Sequence, residues 1–231
     1  MFFFDRTMFL LLPAMAFAMW AQWKVKSTFE QYSRVRASSG LTGRDMARRI
    51  MSANGVTDVT VEPVGGVLSD HYDPRSHTVR LSTHNFNEGS ISAIAVAAHE
   101  VGHVLQHHQG YFPLQLRSGM APVVSIASTA AMPLFLIGLL FGAKFPYSGL
   151  LMDLGIVFFA GAVLFHMVTL PVEFDASKRA LAQLTNTGSV RPEEVAGAKK
   201  VLDAAALTYV AAAAMAALQL VRLLALRNDR R

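Results

Sequence analysis

The stretch ISAIAVAAHEVGHVLQHH (Ile91–His108) decides how the rest of the chain reads. Apolar residues recur at helical spacing (Ile91, Ile94, Ala95, Ala98, Val101, Leu105), with Ser90 before them as a start signal and Gly110 after them as a stop. The pattern predicts a buried helix. His99 and His103 are four residues apart, so their imidazoles project from one face, one turn above the other, where both can reach a single zinc ion. Glu100 lies about 100° round the helix from His99, flanking the metal where a general base for a zinc-bound water belongs. The array is H-E-x-x-H, a metalloprotease pattern. In so apolar a helix, two histidines and a glutamate are costly unless they share a ligand or one another. The bland alternative is a pair of hydrogen-bonded core histidines.

Catalytic zinc takes three protein ligands, so a third must come from elsewhere. His107 continues the four-residue series, but three residues stacked along a straight helix cannot converge tetrahedrally on one ion. The metzincin pattern needs Gly and His where this chain has Gln106 and Gln109. A glutamate on a separate helix is the remaining common solution.

Composition narrows the class. Of 231 residues, 52% are hydrophobic and 16% charged, with mean hydropathy +0.34, too apolar for an ordinary soluble domain. The absence of cysteine excludes disulfides and thiolate zinc sites. A net charge of +5 could suggest nucleic acid, but the basic residues gather beside apolar spans and no aromatic-rich basic groove is present. The expected partners are therefore a lipid bilayer and a peptide or protein substrate, and not nucleic acid.

Met8–Trp23, extended by Phe2–Phe4, is long enough to span a membrane. A signal peptide is the alternative, and Ala16-Phe17-Ala18 resembles a cleavage site. Against that, Asp5 offsets Arg6 while Lys24, Lys26, Arg34 and Arg36 follow the run, which places the N-terminus outside and the next segment in the cytoplasm. Helices are expected over Val25–Ser38, stopping near Gly40, and over Asp45–Ala53, closed by Asn54-Gly55. Val59 and Val61 alternate with polar neighbours, and Val67-Leu68 is set against Val79 and Leu81 across DHYDPRSH, which reads as a small antiparallel sheet. Its edge could receive an extended peptide, or the sheet could simply pack on the helix.

Ala121–Ala143 and Gly149–Leu170 are further spans, joined by the short KFPYS link into a hairpin that returns to the side it left. That delivers PVEFDASKRA (Pro171–Ala180) to the side of the zinc helix. Glu173 is nominated as the third ligand; Asp175 is its competitor, and a glutamate in a solvated helix cap is the bland reading. The last part starts at Ser189, Pro192 and Glu193-Glu194, carries Lys199 and Lys200, and runs into Ala204–Leu226, whose Ala211–Ala214 suit close helix packing. As a fourth span it would put Arg227, Arg230 and Arg231 outside, against the positive-inside rule: either the earlier spans dominate orientation or this helix packs without fully crossing.

The expected plan is a mainly α membrane protein with about four transmembrane helices and a small α+β zincin-like peptidase domain. Its parts are an anchor (1–24), an α+β segment carrying HEVGH (25–119), a transmembrane hairpin (120–171), a helix carrying the third ligand (172–203), and an alanine-rich transmembrane helix with a basic tail (204–231).

With these residues in view, the chain resembles the membrane zinc metallopeptidases of the YugP type, distantly similar in plan to the HtpX membrane proteases. The resemblance runs through LSDHYDP (Leu68–Pro74), VRLS (Val79–Ser82), SISAIAVAAHEVGH (Ser90–His103), GYFPLQLR (Gly110–Arg117), TLPVEFDAS (Thr169–Ser177) and AAALTYVAAA (Ala204–Ala213). It implies one zinc ion on His99, His103 and Glu173, with Glu100 as base. HtpX-like proteins usually carry an aspartate four residues after the glutamate ligand. Ser177 stands there in this chain, with Asp175 or Arg179 as substitutes for its supporting role.

The expected activity is that of an integral-membrane, gluzincin-like zinc endopeptidase of the bacterial inner membrane, its site on the cytoplasmic side, cutting membrane or membrane-proximal proteins. His71, Tyr72 and Arg179 are candidate donors to the developing oxyanion. His166, inside the third span, is a functional candidate by its position. His107 and His108 suit the end of the helix, where positive charge is favourable. Two other classes stand beside this one: a non-catalytic zinc-stabilised scaffold that binds partners, and a transporter using His166 and Asp153 as relay groups.

Overall fold

The computed structural model describes residues 6–142 and 145–229; Phe2–Phe4, Asp5, Ala143 at the end of the second expected span, Lys144, Arg230 and Arg231 lie outside the described residues. A short 3₁₀ turn (Arg6–Leu11) leads into α1 (Leu12–Ser33), followed by α2 (Gly43–Ala53), β1 (Thr60–Val64), β2 (His71–Asp73), β3 (Thr78–Ser82), α3 (Thr83–Asn87), α4 (Ile91–His108), α5 (Phe112–Phe141), α6 (Ser148–Asn186) and α7 (Pro192–Asn228). The chain is mainly helical, and among the described residues four helices are long and apolar enough to cross a membrane: Thr7–Ser33, α5, α6 and α7. Contacts divide it into two units, one of Met1–Ala21, Gln115–Pro171 and Thr208–Arg231, the other of Gln22–Leu114 and Val172–Leu207.

The first unit is built from long apolar helices. α5 and α6 run antiparallel at close range: a Cβ on Gly155 would come within 2.7 Å of the Ala131 carbonyl oxygen, so only glycine admits this approach. Phe135, Met152 and Leu223 bury one another between α5, α6 and α7. Arg227 donates twice to the Asp153 carboxylate, at 2.7 and 3.0 Å. The fourth span thus carries Arg227 as half of an ion pair, which weakens one of the three charges that set it against the positive-inside rule. The same pair occupies Asp153. His166 is thirteen residues further along α6, about 20 Å at helical rise, so the two do not form a relay.

The second unit has a conventional core around α4. Ser90 caps α4 by accepting the Ala93 N–H at 3.2 Å, and Gly110, at φ +65°, follows its end. α2 is capped by Thr42 and lays Met46, Ala47, Ile50 and Met51 against α4, with Ile94, Ala98, Val101 and Leu105 answering them.

Three local expectations change. From Leu12 on, the first apolar run and the helix expected from Val25 form one continuous α1, because no glycine or proline interrupts the chain between Pro13 and Ser33. α1 stops at Ser33, ahead of Gly40, because the Val35 carbonyl accepts the Ile91 N–H and Ala37 donates to the Gly89 carbonyl, both at 2.8 Å, which draws this segment into pairing at the start of α4. The sheet is mixed rather than antiparallel. Its order is β1-β3-β2, with β1 parallel to β3 and β2 antiparallel to it. The β2–β3 turn is closed by the Asp73 carboxylate, which accepts from Arg75 N–H and the Ser76 hydroxyl, so the strand facing β3 is His71–Asp73. Val67 and Leu68 instead fall in the exposed crossover after Gly65-Gly66.

Candidate metal centre

Residue 102 decides whether α4 and α6 can meet. A Cβ there would lie 2.5 Å from the Ala176 carbonyl oxygen, so glycine between Val101 and His103 lets the backbone of α6 pass directly over the two histidines. Ala176, Ala180 and Leu184, spaced by four, are fully buried along this contact. Glu173, one turn before Ala176, is carried to the histidines.

The Glu173 Oε2 lies 3.2 Å from His99 Nε2 and 3.6 Å from His103 Nε2. Ligand atoms held about 2.05 Å from a tetrahedral ion stand about 3.3 Å apart by the geometry of the tetrahedron. The observed spacings therefore fit a zinc ion, as does the two-nitrogen, one-oxygen donor set, and all three ligand atoms lie within 4.8 Å of one another. The Glu173 side chain is 3% exposed and those of His99 and His103 are 14% and 11% exposed, so the group is shielded yet reachable. Asp175 is not in it.

Each imidazole is held from behind. The His99 Nδ1 lies 3.1 Å from Ser177 Oγ, so the serine at the position of the HtpX aspartate makes the supporting contact itself. The His103 Nδ1 lies 3.0 Å from Gln106 Oε1, and Gln106 Nε2 donates to the Val172 carbonyl and to Asp175 Oδ2, both at 2.8 Å. Arg179 pairs with Asp175, donates to Gln109 and stands over the Tyr111 ring. Asp175 and Arg179 thus support His103 through Gln106 and do not touch His99. By sequence Gln106 reads only as a break in the metzincin pattern, although an amide inside a helix expected to be buried, one turn beyond a ligand, is itself a signal; the structure buries it fully.

Glu100 is buried beside the group, and no described residue donates a hydrogen bond to its carboxylate. Burial pushes its pKa up, against the opposing pull of His99 and His103, and Glu173 and Asp70 add to the rise. Asp70 is fixed nearby by the Ser82 N–H and the Asn85 amide. For His103, burial pulls the pKa down, but the hydrogen bond and charge of Glu173, with Glu100 and Gln106, more than reverse it, so the net direction is up.

The remaining candidates lie in other bonds. His71 Nδ1 faces the Ser69 carbonyl at 2.8 Å on the exposed side of β2. Tyr72 Oη is 2.8 Å from His107 Nδ1, and burial above all raises its pKa to about 12. His107 also meets the His77 ring edge-on at 5.5 Å, and His77 pairs with Asp58. His108 is exposed at the end of α4. His166 is half-buried with no hydrogen bond among the described residues.

A helix-borne histidine pair joined by a glutamate from a second helix, in a chain with four membrane-length helices, has the plan of a membrane-associated metallopeptidase. The chain belongs to the zinc metallopeptidase family described as "Putative neutral zinc metallopeptidase", whose model matches residues 7–228. It is 52% identical over 214 residues to the "Putative membrane protease YugP" of Bacillus subtilis (strain 168), a match covering 93% of each chain. No solved structure matches it.

Proposed function

We propose that this chain is a zinc endopeptidase of the gluzincin-like plan, in which His99, His103 and Glu173 hold one zinc ion and Glu100 is the general base. The observation that carries the reading is the single carboxylate oxygen of Glu173 lying 3.2 and 3.6 Å from the two imidazole Nε2 atoms. Zinc held there supplies Lewis acidity, lowering the pKa of water and polarising a carbonyl. The Glu100 carboxylate takes the proton of the attacking water and returns it to the departing amine nitrogen. Burial favours this role by making the carboxylate more basic than a solvated one. An extended substrate would be seated along the sheet, whose free edges are β1 and β2; Pro63 removes one donor from β1.

The substrates are membrane or membrane-proximal proteins, and the site faces the cytoplasm of a bacterial inner membrane. What supports this is the charge asymmetry around the first span, with Lys24, Lys26, Arg34 and Arg36 following it. The test uses purified full-length protein in detergent with an unfolded membrane protein. Cleavage is expected, and it should be lost with chelator and restored by zinc. Glu100→Gln should lower cleavage by about 10²–10⁴-fold with zinc content unchanged. Cleavage that persists in that variant would overturn the assignment.

A further inference from the structure

We propose that Gln106 is a positioning residue for the metal centre: its carboxamide dictates which nitrogen of His103 carries the proton and clamps that imidazole to α6. This rests on the zinc reading above and extends it to a residue outside the ligand set.

Gln106 is fully buried. One end of its amide faces the Val172 carbonyl and the Asp175 carboxylate, both at 2.8 Å. Both are acceptors, so that end must be the NH₂ group; a flipped amide would set a carbonyl oxygen against two oxygens. The other end, facing His103 Nδ1 at 3.0 Å, is therefore the carbonyl oxygen, and it accepts only if Nδ1 bears the proton. Nε2 is then the nitrogen left to offer a lone pair to a metal held beside Glu173 Oε2. Asp175 cannot rotate away freely, because Arg179 holds it and is itself tied to Gln109.

The other histidine lacks this constraint. Ser177 faces His99 Nδ1 with a hydroxyl, which can donate or accept and so tolerates either tautomer. The chain pins one imidazole and leaves its neighbour adjustable. The pinned one is joined, through a single side chain, to the helix that brings the third ligand, since Val172 and Asp175 flank Glu173.

The full chain in detergent is stripped of metal, and its zinc affinity is measured by competition with a chromophoric chelator. Cobalt is then loaded as a spectroscopic probe. Wild type should bind, and Gln106→Met should bind zinc about 10–100-fold more weakly, with altered cobalt d–d bands. A purely structural glutamine would lower the melting temperature of the metal-free protein and leave both metal readouts unchanged, which would overturn the proposal. A second comparison holds even where Gln106→Met does not fold. Gln106→Glu alone sets two carboxylates face to face and should weaken zinc binding. Adding Asp175→Asn places an amide donor opposite the new carboxylate, which still accepts from His103 Nδ1, and should recover part of the loss, the Val172 carbonyl still facing an acceptor. No recovery in the double variant would overturn the proposal while the zinc reading stands. Failure of wild type itself to bind zinc would overturn that reading, and the inference with it.

Discussion

Residues 148–170 and 172–186 belong to one helix, α6, yet their side chains are distributed in opposite ways. In the first stretch, Leu150, Leu154, Val157, Leu164 and Met167 are all exposed, and burial is confined to a few positions such as Met152 and Gly155. In the second, Val172, Glu173, Ala176, Ala180 and Leu184 form a buried stripe one face wide, with Phe174, Lys178 and Ala182 outside it. An apolar surface on all sides suits a helix solvated by hydrocarbon, where association depends on close backbone approach rather than on the exclusion of water. A stripe suits a helix packed into an aqueous core. The boundary falls at Pro171, and Glu173, the donor that completes the metal group, stands two residues beyond it.

The largest effect should come from removing that donor. Glu173→Ala leaves two imidazoles without their carboxylate, and zinc affinity should drop by more than about a hundredfold, since even supporting partners cost 10–100-fold. Zinc binding close to wild type, read by chelator competition, would mean that the aqueous half of α6 does not hold the ion.

Glycine offers a sharper contrast. Gly102→Ala drives a methyl against the Ala176 carbonyl of the second half, with no flexible side chain to yield. It should cost about 1–3 kcal/mol and weaken zinc binding as α6 is pushed away. Gly161→Ala, on the first half, meets nothing within 4 Å. It should leave stability unchanged or raise it by up to about 1 kcal/mol, since alanine is the better helix former. Thermal unfolding of both variants in one detergent makes the comparison, and equal losses would erase the distinction drawn between the two stretches.

These positions also show what the sequence could disclose. The His99–His103 pair was legible because helical geometry puts i and i+4 on one face without help from the rest of the chain. The spans were legible because hydropathy needs no partner either. Glu173 could be nominated only by following a hairpin back to its starting side, and Asp175 remained its rival until Ala176 was seen to pack on Gly102. Gln106 was passed over because its meaning lies in Val172 and Asp175, 66 and 69 residues away. The sheet was misread for a related reason. Val67-Leu68 has the composition of a strand, but the Asp73 turn places His71–Asp73 beside β3, and no local propensity reports which segment a turn will bring alongside. Long-range hydrogen bonds and close backbone contacts are what local pattern leaves open.

The smallest expected difference is electrostatic, and it belongs to the water-facing part of the chain. The Asp73 carboxylate accepts from the Arg75 N–H, the Ser76 hydroxyl and Arg80; the Arg75 N–H leads in holding its pKa down to about 2. A folded-state value below the unfolded one, about 3.9, means the stabilisation is complete above that unfolded value and disappears as pH falls toward the folded one. Wild type should therefore lose stability on acidification more steeply than Asp73→Asn, whose side chain does not titrate, and the two curves should converge at the acid end. The gap should be slight, because the carboxylate is solvent-screened. Urea unfolding across a pH series reads it, and parallel curves would show that the turn beside β3 is held by its backbone alone. Gly161→Ala should shift the whole series uniformly or not at all, because it adds and removes no titrating group.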